Sequence, residues 1–160
     1  MDDIKSSLER IRAQFVEAEK INMASINVGD IIYVSLDEED GLILNKGYTT
    51  RKKFIVIIGF TPEGIAVGAL LINSRLTPSK RSREMMDSQY LLLRRNYPSI
   101  LDYDSWLDCS DIFELSKDKI SERNARLKGS LIEDDKERVF NILRETDMID
   151  NITKRRFGII

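Results

Sequence analysis

Residues 54–73 read FIVIIGFTPEGIAVGALLIN and consist of two apolar runs with a turn between them. The runs at 54–60 and 65–73 are rich in β-branched residues, which predicts two buried strands. Pro62 and Gly64 stand between them in the order typical of a tight turn, with Pro early and Gly late. So short a connection leaves no room for a crossover helix, so we expect the two strands to pair as an antiparallel hairpin.

Other short apolar runs extend this pattern in both directions along the chain. They predict further strands at 31–36, 90–93 and 105–110, and the run at 112–115 either extends the last of these strands or follows it. Gly68, inside the second strand of the hairpin, predicts a bulge or a sharp bend in a coiled sheet. Short strands with short connections favour a mainly β protein with flanking helices, built around a small, coiled antiparallel barrel.

Amphipathic helices are predicted at both ends of the strand region. Residues 3–24 carry one apolar stripe at helical spacing, formed by Ile4, Leu8, Ile11, Phe15 and Ala18. This stripe packs either on its own domain or against a partner protein or a second copy. Residues 137–145 lie in a second helix, whose apolar face consists of Val139, Phe140, Ile142 and Leu143. We therefore divide the chain into an N-terminal amphipathic helix appendage, 1–27, and a barrel domain that includes the C-terminal helix, 28–160.

The composition excludes several classes of chemistry. The 160 residues include 25 Lys and Arg and 27 Asp and Glu, which gives a net charge of −2, and they include no histidine. Without histidine there is neither a His-ligated zinc site nor a Ser–His or Cys–His nucleophile pair. The single cysteine, Cys109, can form no internal disulfide and no four-thiolate cluster, and its strand position predicts a small buried side chain. Catalysis would have to use carboxylates, Lys, Arg, hydroxyls or backbone groups.

The apolar segments also limit where the protein is expected to work. The N-terminus, MDDIKSSLER, begins with acidic residues and lacks the apolar region of a signal peptide. The apolar runs of the hairpin are too short to cross a bilayer as helices. These features predict a cytoplasmic protein without a membrane segment.

Two polar segments interrupt the predicted strands. Residues 37–53 carry polar turn residues and two glycines, and we read them as a long loop that could act as a mobile flap. Residues 74–88 are polar and basic, and they predict a second loop.

Three blocks of the sequence, in this order, resemble the MazF/PemK toxin family. The first is VGDIIYVSLD at 28–37, followed by a Gly-containing loop and basic residues ahead of FIVII. The second is DSWLDCSDIFELSKDKI at 104–120, and the third is LKGSLIEDDKERVFNIL at 127–143. The resemblance extends over residues 28–145 and leaves the N-terminal helix and the tail outside.

This resemblance implies both a fold and an activity. The fold would be an SH3-like barrel of the PemK and CcdB type, with an extra N-terminal helix and a C-terminal helix, usually assembled as a homodimer. The activity would be that of a metal-independent endoribonuclease of a type II toxin–antitoxin system, which cleaves single-stranded RNA and needs no cofactor. The implied partners are single-stranded RNA and an antitoxin protein that neutralises the toxin.

The resemblance also implies where the catalytic groups stand. Family members that look like this chain carry an Arg-Pro step before the second strand, for cationic stabilisation and proton transfer, and a Thr or Ser after the third. Here the Arg-Pro step is missing, and the matching positions are Arg51, Lys52 and Lys53, with Ser74 at the hydroxyl position. The sequence leaves open which of the three basic residues faces the groove.

Further cations would contact the RNA, because neutralising phosphates is what positions a nucleic acid on a protein. The densest basic run lies within 74–88, a basic pair follows the strand at 90–93, and two more residues flank Ser74. The predicted RNA-binding residues are Asn73, Arg75, Lys80, Arg81, Arg83, Arg94 and Arg95.

The segment around the strand at 105–110 allows two interpretations. Asp104, Asp108 and Asp111 supply oxygen ligands suited to a divalent cation, but alternating carboxylates on a short strand with caps explain them as well, and we predict no metal site. Tyr103 and Trp106 either stack on bases or fill the core.

A different function follows from what the chain lacks. Some family members carry an Arg and an Asp where Asp108 and Ser110 stand here, and the Arg-Pro step is also absent. A barrel without these groups would act by protein binding alone, as a gyrase-poison-like toxin or as a silent regulatory relative. We keep this non-catalytic function as the alternative.

Overall fold

The structure is a computed structural model that describes residues 2–19, 22–40, 42, 44, 47, 50–76 and 82–160, and for residues 2 and 12–19 it describes the backbone. The strands are β1 Asp30–Leu36, β2 Arg51–Phe60, β3 Ala66–Asn73, β4 Gln89–Leu92, β5 Ser105–Asp108, β6 Phe113–Ser116 and β7 Arg126–Ser130. The helices are α1 Asp2–Glu19, α2 Arg83–Asp87, α3 Lys117–Glu122, α4 Glu133–Glu145 and α5 Asn151–Arg156. Short 3-10 turns lie at Met23–Ser25, Glu38–Asp40 and Arg94–Asn96.

The strands form one antiparallel sheet in the order β4-β5-β3-β2-β1-β7, and β6 pairs with β3 beside this path. The first half of β3 pairs with β6 and its end pairs with β5, so β3 takes part in both halves of a curved sheet. The ladder between β2 and β3 is irregular between Ile57 and Gly59, and Gly59 lies opposite Gly68, where a bend was predicted. The predicted fold class, a mainly β protein with flanking helices around a small, coiled antiparallel barrel, is confirmed: the described strands form an antiparallel half-barrel, with helices on its N-terminal and C-terminal sides.

Consecutive residues of a strand point to opposite faces of a sheet. On the central strands consecutive residues are apolar, so both faces of the sheet are buried. One face carries Ile31, Val56 and Leu70 and packs against α4 and the C-terminal residues Phe157 and Ile159. The other carries residues such as Ile32, Ile55 and Leu71 and packs against Ile120 of α3. The helix predicted around 137–145 is therefore an integral layer of the barrel domain.

Several boundaries differ from the sequence-based prediction. Strand β2 begins at Arg51 instead of 54, so the basic residues of the predicted catalytic site lie within the strand. Strand β5 ends at Asp108. The described part of the N-terminal helix extends to Glu19, and residues 23 and 24, which were predicted to continue it, belong to the 3-10 turn Met23–Ser25. The predicted loop at 74–88 contains the short helix α2. None of the described helices is long and apolar enough to cross a membrane.

Strand β7 and helix α5 were not predicted at all. The sequence of β7, RLKGS, has little apolar alternation because the strand lies at an edge of the sheet and is mostly exposed. Helix α5 is short and basic in its last turn, and Asp150 caps it by accepting a hydrogen bond from the Thr153 backbone N–H.

Lys154 of α5 is buried, with 4% of its surface exposed, and it caps the end of α4. Its Nζ donates hydrogen bonds to the carbonyl oxygens of Arg144, at 2.9 Å, and Thr146, at 2.6 Å. A cation at this position satisfies carbonyls that lack a helical partner and interacts favourably with the negative end of the helix dipole.

We expect Lys154→Met to lower the free energy of unfolding by about 2 kcal/mol, because the two carbonyl groups lose a charged donor. Urea unfolding followed by circular dichroism measures this change. The neighbouring Arg155 is exposed, so Arg155→Met serves as the matched control with an expected change near zero. Equal unfolding midpoints for the two variants would contradict the capping role.

Candidate functional site

The predicted catalytic residues meet at one cavity of about 230 Å³, which we call the β2 cleft. It opens beside the start of β2, between β1, the end of β3 and the segment that leads into β5. Its lining consists of Tyr33, Arg51, Lys52, Lys53, Phe54, Ile72, Ser74, Leu101, Asp102, Tyr103 and Ser105. All three basic residues and the hydroxyl that the sequence singled out are therefore brought together.

Strand register explains why an aromatic pair lies in this cleft. Tyr33 of β1 is the cross-strand partner of Phe54 of β2, and their ring centroids are 4.6 Å apart. Lys52 shares the face of Phe54 because residues two apart on a strand point the same way. Its Nζ lies 6.0 Å from the centre of the Tyr33 ring. The cleft thus combines a cation with an aromatic surface.

Lys53 points to the opposite face of β2 and is nearly buried, with 8% of its surface exposed. The register that pairs Ile55 with Leu71 sets Lys53 opposite Asn73. The Lys53 Nζ donates a hydrogen bond of 2.7 Å to the Asn73 Oδ1. Asn73, predicted to contact RNA, therefore has a contact within the protein that holds the lysine in place.

The opposite wall of the cleft comes from the segment before β5. The Arg94 backbone N–H donates to Asp104 Oδ1 at 2.8 Å, and the Ser105 hydroxyl donates to the Tyr103 carbonyl at 2.9 Å. These bonds fix the segment while the Tyr103 side chain stays 69% exposed. Tyr103 is therefore a surface residue of the cleft and no part of the core.

The other predicted RNA-binding residues that the structure describes do not line the cleft. Arg75 is exposed next to Ser74, Arg83 is exposed at the start of α2, and Arg94 and Arg95 are exposed in a 3-10 turn. Lys80 and Arg81 lie outside the described residues.

The carboxylate of Asp108, one of the three that could have suggested a cation site, accepts hydrogen bonds from donors within the protein. Asp108 Oδ1 accepts hydrogen bonds from the Gln89 side chain at 2.8 Å and from the Ser110 backbone N–H at 3.0 Å. Among the described residues no group of three or more His, Cys, Asp or Glu side chains is arranged to hold a metal ion. Cys109 is fully buried as predicted, and burial, with the charge of Asp108, raises the pKa of its thiol to about 12. The thiol is therefore no nucleophile near neutral pH.

Two tyrosines and a buried aspartate form a hydrogen-bonded network beside α4. The Tyr90 hydroxyl donates to Asp135 Oδ1 at 2.5 Å and the Tyr97 hydroxyl donates to Asp135 Oδ2 at 2.6 Å. Burial and the bond to the carboxylate raise the pKa of both tyrosines. Both phenols thus stay protonated donors, which tie α4 to β4 and to the segment that carries Leu101.

A second cavity of about 430 Å³ adjoins the cleft, and we call it the β7 cavity. It is lined by Tyr33, Val34, Ser35, Lys52, Arg123, Asn124, Arg126 and Lys128. Tyr33 and Lys52 line both spaces. Sequence reasoning assigned no role to Tyr33, Arg126 or Lys128. The pairing of β1 with β2 brings Tyr33 near Lys52, and the pairing of β7 with β1 brings Arg126 opposite Tyr33.

Arg123, at the end of α3, fixes the start of the predicted flap. Its guanidinium donates to the Ser35 carbonyl at 3.2 Å and pairs with Asp37 at 3.3 Å and with Asp40. Leu42 packs against the core beneath. Much of the remaining loop lies outside the described residues, namely 41, 43, 45, 46, 48 and 49, so the mobile flap stays a prediction.

The ion pairs of Arg123 with Asp37 and Asp40, which we call the clasp, make the stability of the start of the loop depend on pH. Burial raises the pKa of Asp40, but hydrogen bonds from Arg123 and the Asp37 backbone outweigh it, and the net pKa lies below its usual range. A depressed pKa in the folded state means that the stabilisation is present above the unfolded pKa and is lost as pH falls through the folded one. We expect the melting temperature of the wild type to fall more between pH 5 and pH 3 than that of Asp40→Asn. The same fall in both proteins would contradict the clasp, and Asp87→Asn, at an exposed site, is the control.

Comparison with known proteins shows a similarity to a solved structure in the path of the polypeptide chain. No family model and no curated protein match the chain. Among solved structures, it is similar to a chain of the crystal structure of MazE-MazF from Deinococcus radiodurans. The two are 10% identical, with a TM-score of 0.49, and the match covers 74% of this chain and 92% of that chain. A similarity of this extent assigns no activity. The described residues form an antiparallel half-barrel with a cleft that is lined by cationic and aromatic side chains.

Proposed function

We propose that the protein is a metal-independent endoribonuclease that cleaves single-stranded RNA in the β2 cleft. One observation carries this proposal: Arg51, Lys52, Lys53 and Ser74 line the same cavity as two tyrosines. The cations suit the phosphates of RNA, and the rings of Tyr33 and Tyr103 suit its unpaired bases. Arg75, Arg83, Arg94 and Arg95, all exposed, would guide the strand toward the cleft.

The chemistry would use the 2′-hydroxyl of the RNA as nucleophile. Its oxygen forms a bond to the adjacent phosphorus while the bond from phosphorus to the 5′-oxygen breaks, which leaves a 2′,3′-cyclic phosphate and a 5′-hydroxyl. Asp102, the carboxylate among the described lining residues, would accept the proton of the 2′-hydroxyl. A lysine ammonium would return a proton to the leaving 5′-oxygen.

The lysines would stabilise the negative charge that develops on the phosphorane. Lys52 would meet the phosphate directly, because it is exposed at the cleft, whereas Lys53 is nearly buried, is bonded to Asn73 and would act only through the field of its charge. A lysine offers a point charge without the two-pronged geometry of arginine. Ser74 would hydrogen-bond a phosphate oxygen from the other side.

Purified protein incubated with a long single-stranded RNA in EDTA tests this function. We expect discrete cuts that leave cyclic phosphates, and no cut where the nucleotide 5′ of the cleavage site carries a 2′-O-methyl group. RNA that stays intact with folded protein, or cleavage that needs an added metal ion, would contradict it.

A protein-binding function is the second candidate, and the exposed stripe of α1 favours it. Ile4, Leu8 and Ile11 are 69%, 53% and 47% exposed, so the apolar face of the appendage is open over these residues. The antitoxin and the homodimer implied by the family resemblance would be partners of this kind. If this function is right, Leu8→Asp abolishes binding to a specific protein while the protein leaves RNA intact. Failure of a native pull-down to retain any such partner would count against it.

A further inference from the structure

We propose that the apolar stripe of α1 forms one half of a two-stranded coiled coil. Its partner is an amphipathic helix of another protein that carries carboxylates beside its own apolar stripe. This inference rests on the second candidate function, protein binding, and names the kind of partner. It does not depend on cleavage of RNA.

The first half of α1 has no packing partner within the described part of the chain. Every side chain from Asp3 to Ile11 is exposed, and neither hydrophobic core includes a described residue of α1. Ile4 and Leu8 nevertheless lie on the same face as Ile11, because they stand four and three residues apart. Most of the stability of a helix in a protein comes from packing of its apolar face. A partner outside the described chain would supply this packing for α1.

The spacing of the stripe is typical of a coiled coil. Its members alternate steps of four and three residues, so they repeat every 3.5 residues on average. They are Ile4, Leu8, Ile11, Phe15 and Ala18. Helix α4, which packs on the sheet, has a wider apolar face, with adjacent apolar pairs at 139–140 and 142–143. The narrower stripe of α1 fits a second helix better than it fits the surface of a sheet.

Charge beside the stripe indicates what the partner carries. Between the first and last members of the stripe, the flanking positions are Lys5, Ser7, Arg12 and Gln14. Two of them are cations and none is a carboxylate, since acidic residues such as Glu9 lie farther round the helix. Ion pairs between the helices of a coiled coil form at these flanking positions. A partner helix with Glu or Asp there would pair with both cations.

A second copy of α1 fits this charge pattern less well. In a parallel pair, Arg12 would face Ser7 of the second copy, which is neutral. In the antiparallel alignment that covers the stripe from Ile4 to Phe15, Lys5 would face Arg12 of the second copy, and the two cations would repel each other. Charge complementarity therefore favours a helix of a different protein.

Binding of synthetic peptides to the full chain tests the inference. Both probes are fluorescent three-heptad peptides with Ile and Leu in the stripe; the acidic probe has Glu at every flanking position, and the basic probe has Lys there. Affinity is measured by anisotropy, and self-association of the protein alone by sedimentation equilibrium. The variants are Leu8→Asp and the charge-reversing double substitution Lys5→Glu with Arg12→Glu. The double substitution Arg10→Glu with Arg155→Glu makes the same change of net charge at exposed positions off the stripe and is the matched control.

We expect the wild type to bind the acidic probe about tenfold more tightly than the basic probe, the size of effect for two exposed ion pairs. High salt should reduce this difference. The charge-reversing variant should prefer the basic probe, whereas the control keeps the preference of the wild type. Leu8→Asp should bind neither probe, and circular dichroism should show that all variants are folded.

Equal affinities for the two probes, or a charge-reversing variant that still prefers the acidic probe, would overturn the inference while leaving protein binding by the stripe in place. Binding of neither probe to the folded wild type would overturn it as well. Self-association of the wild type that Leu8→Asp abolishes would overturn it and assign the stripe to a second copy. The expected order of affinities in a protein that leaves RNA intact would support the inference while removing the nuclease function.

Discussion

If the proposed nuclease function is right, we expect Lys52→Ala to lower the rate of RNA cleavage by about two to three orders of magnitude, the effect of removing one group that stabilises transition-state charge. Among the three basic residues of the β2 cleft, Lys52 has the position best suited to a reacting phosphate. It is exposed, lies on the same face of β2 as Phe54 and stands near the Tyr33 ring. Single-turnover cleavage of an RNA with mapped sites measures the effect without interference from product release.

Two further variants separate charge from structure at this position. Lys52→Arg keeps the positive charge and should retain most of the activity. Lys53→Met removes a nearly buried lysine together with its bond to Asn73, so it should lower both activity and the free energy of unfolding. If Lys52→Ala cleaves RNA as fast as the wild type, Lys52 does not take part in the reaction.

Gly59→Ala lowers the free energy of unfolding by about 3 kcal/mol, the upper part of the usual range for overpacking. A Cβ atom at Gly59 would stand 2.1 Å from the carbonyl oxygen of Phe157 and 2.9 Å from its Cβ. The first of these is a backbone atom, so the C-terminal segment must move as a whole. Phe157 and Ile159 would then leave the core that they share with β2 and β3.

The control for this prediction is Gly64→Ala. Gly64 has a positive φ of 73° but no atom within 4 Å of a built Cβ, so it measures backbone strain without crowding. We expect it to cost about 1 kcal/mol. Urea unfolding of the two variants measures the difference, because the carbonyl oxygen and the Cβ of Phe157, which meet the new Cβ at position 59, cannot give way without a shift of the backbone. Equal losses of stability in Gly59→Ala and Gly64→Ala would mean that the C-terminal segment does not lie against Gly59.

The central strands were predictable because both of their faces are buried. Such strands read as apolar, β-branched runs, as in 54–60 and 65–73, and the short turn between them left only the hairpin. Edge strand β7 gave no comparable signal, since its side chains Leu127 and Lys128 are exposed. The capping role of Lys154 could not be predicted from the sequence either, because the carbonyl groups that accept its hydrogen bonds lie at the end of another helix.

Residues of the candidate site were predictable at the positions that the family resemblance marks. They were not predictable where the pairing of strands brings distant residues together. Arg51, Lys52, Lys53 and Ser74 were named from the sequence, and the structure brings them to one cleft. Tyr33 lay within a run that predicted only a strand, and its place beside Lys52 depends on how β1 pairs with β2. Pairing across a sheet joins residues distant along the chain, so a single sequence does not contain it.

The most direct test is an amide NMR titration of the full chain with a 2′-O-methyl RNA 9-mer in EDTA, since it locates the bound strand without any reaction. We expect the largest shifts to cluster at Tyr33, Lys52, Lys53, Ser74 and Tyr103. Shifts confined to α1 or to the exposed face of α4, or no shifts at saturating RNA, would contradict this expectation.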